Sequence, residues 1–140
     1  MCIDMINQTN QEQATAVDKS KKSILARGCD PGASAWAAKA FPPMMGNPEY
    51  VPTTNDVDFI EKLKARQWSV IYFAPGACRF SAVKRAIPGS NVQTKSWTLE
   101  EYRDLVRELQ GDSVKIVESL VEEESLALLK ATLDTAREVR

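Results

Sequence analysis

Four consecutive β-branched and aromatic residues, Val70, Ile71, Tyr72 and Phe73, run almost directly into Pro75-Gly76, and this juxtaposition restricts the fold more than any other feature of the chain. The run is too short for a buried helix, and neither a helix nor a central strand carries a Pro-Gly pair through, so residues 69–74 are expected as a strand. Being apolar on both faces, that strand belongs inside a sheet, parallel to its neighbours. Beyond the turn, residues 78–86 can form a short helix with Ala82, Val83 and Ala86 on one side and Lys84 and Arg85 on the other. Pro88-Gly89 ends it.

The flanking sequence alternates helix and strand. Asn55 can cap a helix over 56–66 that buries Val57, Phe59, Ile60 and Leu63. Asp56 and Asp58 in its first turn and Lys62, Lys64 and Arg66 in its last match the two ends of the helix dipole. Thr98 with Glu101 forms a capping box for a second helix in which Leu99, Tyr102, Leu105, Val106 and Leu109 follow the helical period and Gly111 closes. Val114, Ile116 and Val117 mark another strand, over 113–118. A helix after Glu122, Glu123 and Glu124 then carries Leu126, Leu129, Leu133 and Ala136 on one stripe. Residues 91–95 could add a short edge strand. The expected fold is α/β: a small, mostly parallel sheet of two or three strands with helices on both faces, strands 69–74 and 113–118 lying side by side.

The first third reads differently. Thr9 and Glu12 suggest a capping box opening a helix that continues to Arg27, with Gly28 stopping it, but its apolar stripe of Ala14, Val17, Ile24 and Leu25 is sparse. A loosely attached helical segment is expected, its Lys19, Lys21, Lys22 and Arg27 forming a solvated basic face. Asp30-Pro31-Gly32 is a turn, residues 33–40 give two helical turns, and four prolines with a glycine over 41–52 make an extended connector. The organisation is therefore a helical and proline-rich extension, 1–54, followed by an α/β domain, 55–140. Trp36, Phe41, Met44, Met45 and Tyr50 are too many large apolar groups for a free linker; face 36–52 either covers the domain or meets a protein partner or a second copy.

Composition narrows the chemistry. With no histidine, neither a Ser-His-Asp nor a Cys-His site can be built within this chain, and its three distant cysteines offer neither a zinc site nor a disulfide framework. Phosphate-loop and dinucleotide fingerprints are missing, so no metal and no cofactor is expected. A net charge of -1 gives no general attraction to nucleic acid, and no run is long enough to span a membrane. The first residues lack the pattern of a signal peptide, which points to the cytoplasm and reduced thiols.

What remains is the turn 75–81. Cys78 stands near a helix N-terminus beside Arg79, with Lys84 and Arg85 within two turns, a field that lowers a thiol pKa. It is the candidate catalytic residue, and Gly76, Ala77, Arg79 and Ser81 are candidate binding residues. Backbone N–H groups there, with Arg79, could instead hold a small phosphate or carboxylate. A half-buried cysteine packed on the sheet explains the same position without chemistry.

Residues 59–81 resemble the opening of a thioredoxin-fold domain, in which a helix with an early phenylalanine leads to an apolar strand, then Phe-Ala-Pro, then a redox cysteine; here these are Phe59, Leu63, Val70, Ile71, Phe73-Ala74-Pro75 and Cys78. The run from Tyr72 to Cys78 is similar to the first strand and turn of bacterial glutathione transferases, and Cys78-Arg79-Phe80-Ser81 has the Cys-x-x-Ser form of monothiol glutaredoxins. The resemblance implies a redox or thiol-ligand role for Cys78. The competing expectation is a non-catalytic interaction or structural domain that uses face 36–52.

Overall fold

The structure, a computed structural model, describes residues 18–75, 99–119 and 121–140. Its elements in chain order are β1 (Ser23–Arg27), α1 (Pro31–Met44), β2 (Glu49–Thr53), α2 (Asp56–Ala65), β3 (Val70–Phe73), α3 (Leu99–Gln110), β4 (Lys115–Glu118) and α4 (Glu122–Thr135). The strands form one sheet, in the order β2-β1-β3-β4, and every pairing is parallel. Strands β3 and β4 are parallel neighbours as expected, with Ile71 opposite Ile116. Among the described residues the sheet has four strands, more than the expected two or three, because the first third of the chain supplies two of them.

Helices cover both faces. On one, Leu25, Ile71 and Phe73 pack against Phe59 and Leu63 of α2 and Tyr102 and Val106 of α3. On the other, Ile24, Val70, Tyr72 and Val117 pack against Ala37 and Phe41 of α1 and Leu129 and Leu133 of α4. Successive residues of β1 and β3 thus point to opposite cores, the period-two arrangement of a doubly covered strand. Asn55 caps α2 as expected, its side chain accepting from the Asp58 N–H at 2.8 Å. Gly111 follows α3 at φ 83°, a left-handed closure that glycine adopts at no steric cost.

Three expectations for the first third of the chain fail, and Val57, expected on the buried face of α2, is 63% exposed. The helix expected up to Arg27 is, over Ser23–Arg27, a strand buried along its whole length between β2 and β3. Leu, Ala and Arg are good helix formers, but helix propensities differ by less than about 0.7 kcal/mol per ordinary residue, whereas burying Ile24 or Leu25 contributes about 1.5–3 kcal/mol. The connector expected over 41–52 is also overturned. Helix α1 runs through Pro42 and Pro43 to Met44, and Gly46 and Asn47, at positive φ, turn the chain into β2. Pro52 is tolerated in β2 because this is an edge strand.

The basic face is the third correction, since only Lys21 of the four cations is exposed. Lys19 Nζ lies 2.7 Å from Asp134 Oδ1, and Lys22 Nζ donates to the Leu133 carbonyl. Both ammonium groups sit at the carboxyl end of α4, where the dipole favours positive charge. Arg27 is completely buried.

The apolar cover of face 36–52 is divided. Met45 is buried and Tyr50 half-buried, its ring edge-on to Phe41 at 6.1 Å, but Trp36 is 58% and Met44 49% exposed. Trp36→Ala is therefore expected to cost no more than about 1 kcal/mol in urea unfolding, the loss of its edge contact with Phe41. A loss of about 3 kcal/mol would show that Trp36 is buried in solution.

Candidate active-site crevice

Parallel strands end together at one edge of the sheet, and here the turns that follow β1 and β3 part company. Strand β1 leads through α1 to β2 on one side of it, whereas β3 lies on the other side and leads on to β4. A crevice opens where strand order reverses in this way. In this molecule it is a cavity of about 150 Å³ between the β1–α1 turn and the end of β3.

The floor is set by β1 and β3. Ala74 N–H donates to the Arg27 carbonyl at 3.0 Å, and Gly28 N–H to the Thr53 carbonyl at 2.9 Å, so three strand ends are tied level. A Cβ on Gly28 would come within 2.8 Å of Ser34 Oγ and 3.7 Å of the Ala74 methyl. Only a residue without a side chain lets α1 start so close to β3 without displacing Ser34. Asp30 then caps α1, its carboxylate accepting from Gly32 N–H at 3.0 Å, with Pro31 at the first helical position where its missing donor costs nothing.

Around this frame stand Cys29, Asp30 and Ser34 at the turn, Trp36 and Phe41 from α1, Tyr50 from β2, Tyr72 and Pro75 from β3, and Glu122 from the start of α4. Cys29 is a free thiol, partly exposed. Burial, and secondarily the neighbouring Tyr72, push the Tyr50 hydroxyl above the ordinary tyrosine range, so it stays protonated. It has no hydrogen-bond partner among the described residues. A donor and acceptor of this kind, left open beside a cavity, is a ready contact for a ligand or a water. No group of three or more Cys, Asp or Glu capable of holding a metal occurs among the described residues.

Behind the crevice, on the opposite face of the sheet, lies a fully buried ion pair. Arg27 Nε donates to Asp56 Oδ1 at 2.8 Å, Tyr102 Oη donates to Asp56 Oδ2 at 2.6 Å, and an Arg27 Nη donates to the Gly28 carbonyl. Asp56 was expected to do no more than complement the dipole of α2; it is instead the counter-ion of the last residue of β1. Together these groups lock the turn that carries Cys29.

Cys78, Gly76, Ala77, Arg79 and Ser81, the residues singled out in the sequence, lie outside the described residues, as does the possible edge strand at 91–95. The described chain reaches that turn at Pro75, which lines the cavity. Cys29 was not singled out, although a signal for it exists: an apolar run, Ser-Ile-Leu-Ala-Arg, then Gly, then an N-capping Asp and Pro at the helix start. Among the described residues no helix is long and apolar enough to cross a membrane. No family model, curated protein or solved structure matches the chain.

Proposed function

We propose that this chain is a small-ligand-binding α/β protein whose site is the crevice at the carboxyl ends of β1 and β3. The observation that carries the reading is the cavity itself, at the point in the sheet where doubly wound proteins take their ligands. Its volume of about 150 Å³ suits one six-membered ring or a group of similar bulk. The thiol role expected of Cys78 from its local charges and from the thioredoxin-fold resemblance, and the anion role expected of Arg79 with the neighbouring backbone N–H groups, remain separate proposals for the turn 76–81 and are not part of the crevice reading. Cys29 places a thiol at the crevice itself, where a thiol-bearing ligand or redox partner would meet it.

Phenol, a single ring with one hydroxyl, is a suitable probe. Millimolar phenol is expected to shift the methyl resonances of Ala26, Ala37 and Ala74, which line the cavity, while leaving those of Leu63 and Val106 in the opposite core unchanged. Ala37→Leu, which fills the space, should abolish the shifts. Shifts that survive in Ala37→Leu, or that map elsewhere, would overturn the proposal.

A second reading is favoured by one observation. Trp36 and Met44 remain exposed beside Phe41 and Leu126 in a groove between α1 and α4, so face 36–52 could still meet a protein partner or a second copy. Solution sizing of wild type against Trp36→Ala decides it: a dimer lost in the variant supports this reading, and a monomer in both excludes self-association.

A further inference from the structure

The described lining of the crevice is aromatic and acidic. Four of the residues lining it are aromatic, Trp36, Phe41, Tyr50 and Tyr72. Trp36 stands edge-on to Phe41 at 5.7 Å with an interplanar angle of 76°, and Phe41 to Tyr50 at 6.1 Å and 88°, so these rings form a connected edge-to-face row rather than a stack. Aromatic side chains gathered on the lining of one cavity offer π-electron density to an organic cation.

The charges point the same way. Asp30 and Glu122 both line the cavity, and no lysine or arginine is among the described residues that do. Helix α1 would ordinarily offer an anion its N-terminal N–H groups, but Asp30 already occupies that end by accepting from Gly32. The turn thereby becomes a carboxylate site. Arg27, the nearest buried cation in the sheet, is committed to Asp56 on the other face.

Resting on the reading of the crevice as a ligand site, we infer that the ligand it takes is a small organic cation, an alkylated or quaternary ammonium group held against Trp36, Phe41, Tyr50 and Tyr72 with Asp30 and Glu122 balancing its charge. The aromatic faces take the methyl groups that carry the spread positive charge. The Tyr50 hydroxyl, which has no hydrogen-bond partner among the described residues, can then meet a hydroxyl or carbonyl elsewhere on the same molecule.

Calorimetric titration with choline and with 3,3-dimethylbutan-1-ol, which has carbon in place of the nitrogen, isolates the charge. Choline is expected to bind about tenfold more tightly than the neutral alcohol. Trp36→Ala should weaken choline about fivefold, and Glu122→Gln about threefold, while neither changes binding of the alcohol by more than about twofold. Both side chains are exposed, so both variants should fold. Equal affinity for the two probes, or preferential binding of inorganic phosphate, would overturn the cation assignment while leaving the crevice a ligand site. If choline, the neutral alcohol and phenol all fail to perturb the Ala37 methyl group, the crevice reading falls with it.

Discussion

Asp56→Ala is expected to destabilise the protein by about 3–5 kcal/mol, because it leaves the Arg27 guanidinium buried without its counter-ion. Both side chains are completely inaccessible, and the same carboxylate accepts the Tyr102 hydroxyl, so the substitution removes the ion-pair partner of a buried charge and an acceptor of a buried hydroxyl together. For a domain stabilised by about 5–15 kcal/mol that is a large fraction of the total. Asp58, two residues along the same helix, provides the control: it pairs with Lys62 at 2.5 Å, but both side chains are more than a third exposed. Asp58→Ala should therefore cost less than about 1 kcal/mol. Replacing both members of the buried pair, Arg27→Met with Asp56→Leu, should recover much of the loss, since an apolar pair of similar volume avoids the desolvation penalty. Urea unfolding measures all three variants. An Asp56→Ala protein within about 1 kcal/mol of wild type would mean that the pair is open to water in solution.

Phe73→Ala is expected to cost about 3–5 kcal/mol, this time through cavity formation. Phe73 is inaccessible at the carboxyl end of β3, with Phe59 of α2 at 5.6 Å and Tyr102 of α3 at 6.1 Å. Removing the ring takes the central member from that aromatic row and loosens both helices against the sheet. Phe73→Leu keeps most of the volume and should cost about 1.5 kcal/mol or less. Because Ala74 and Pro75 follow directly and line the crevice, Phe73→Ala should also weaken phenol binding in any fraction that remains folded. A denaturation midpoint unchanged by Phe73→Ala would be incompatible with this core.

Both sites show why the sequence could be read unevenly. The Phe73 strand is legible because Val70, Ile71, Tyr72 and Phe73 are all strand formers and Pro75 marks their limit, information carried within six residues. Helices α2 and α3 are legible because a cap and a helical apolar period repeat within one element. Arg27 and Asp56 are another matter: a charged residue after Ser-Ile-Leu-Ala and an acidic residue in a first helical turn each have a sufficient local explanation, and both explanations are incomplete. Their pairing spans 29 residues and exists only because β1 passes beneath α2. The same holds for Cys29, whose place at the crevice depends on a neighbour, β3, more than forty positions away.

The sequence by itself therefore determined the α/β class, the parallel neighbours β3 and β4, and the helices whose caps and periods are local. Tertiary structure decided that Ser23–Arg27 is a strand, that four strands run in the order β2-β1-β3-β4, and that a cavity opens where that order reverses. The physical reason is range. Propensity and periodicity are properties of neighbours in the chain, but the conformation of Ser23–Arg27 is settled by hydrogen bonds such as Ser23 N–H to Ser69 and Ser23 Oγ to Val139, partners 46 and 116 residues away. Contacts at that separation outweigh a helix preference of a few tenths of a kcal/mol per residue, and no local pattern records them.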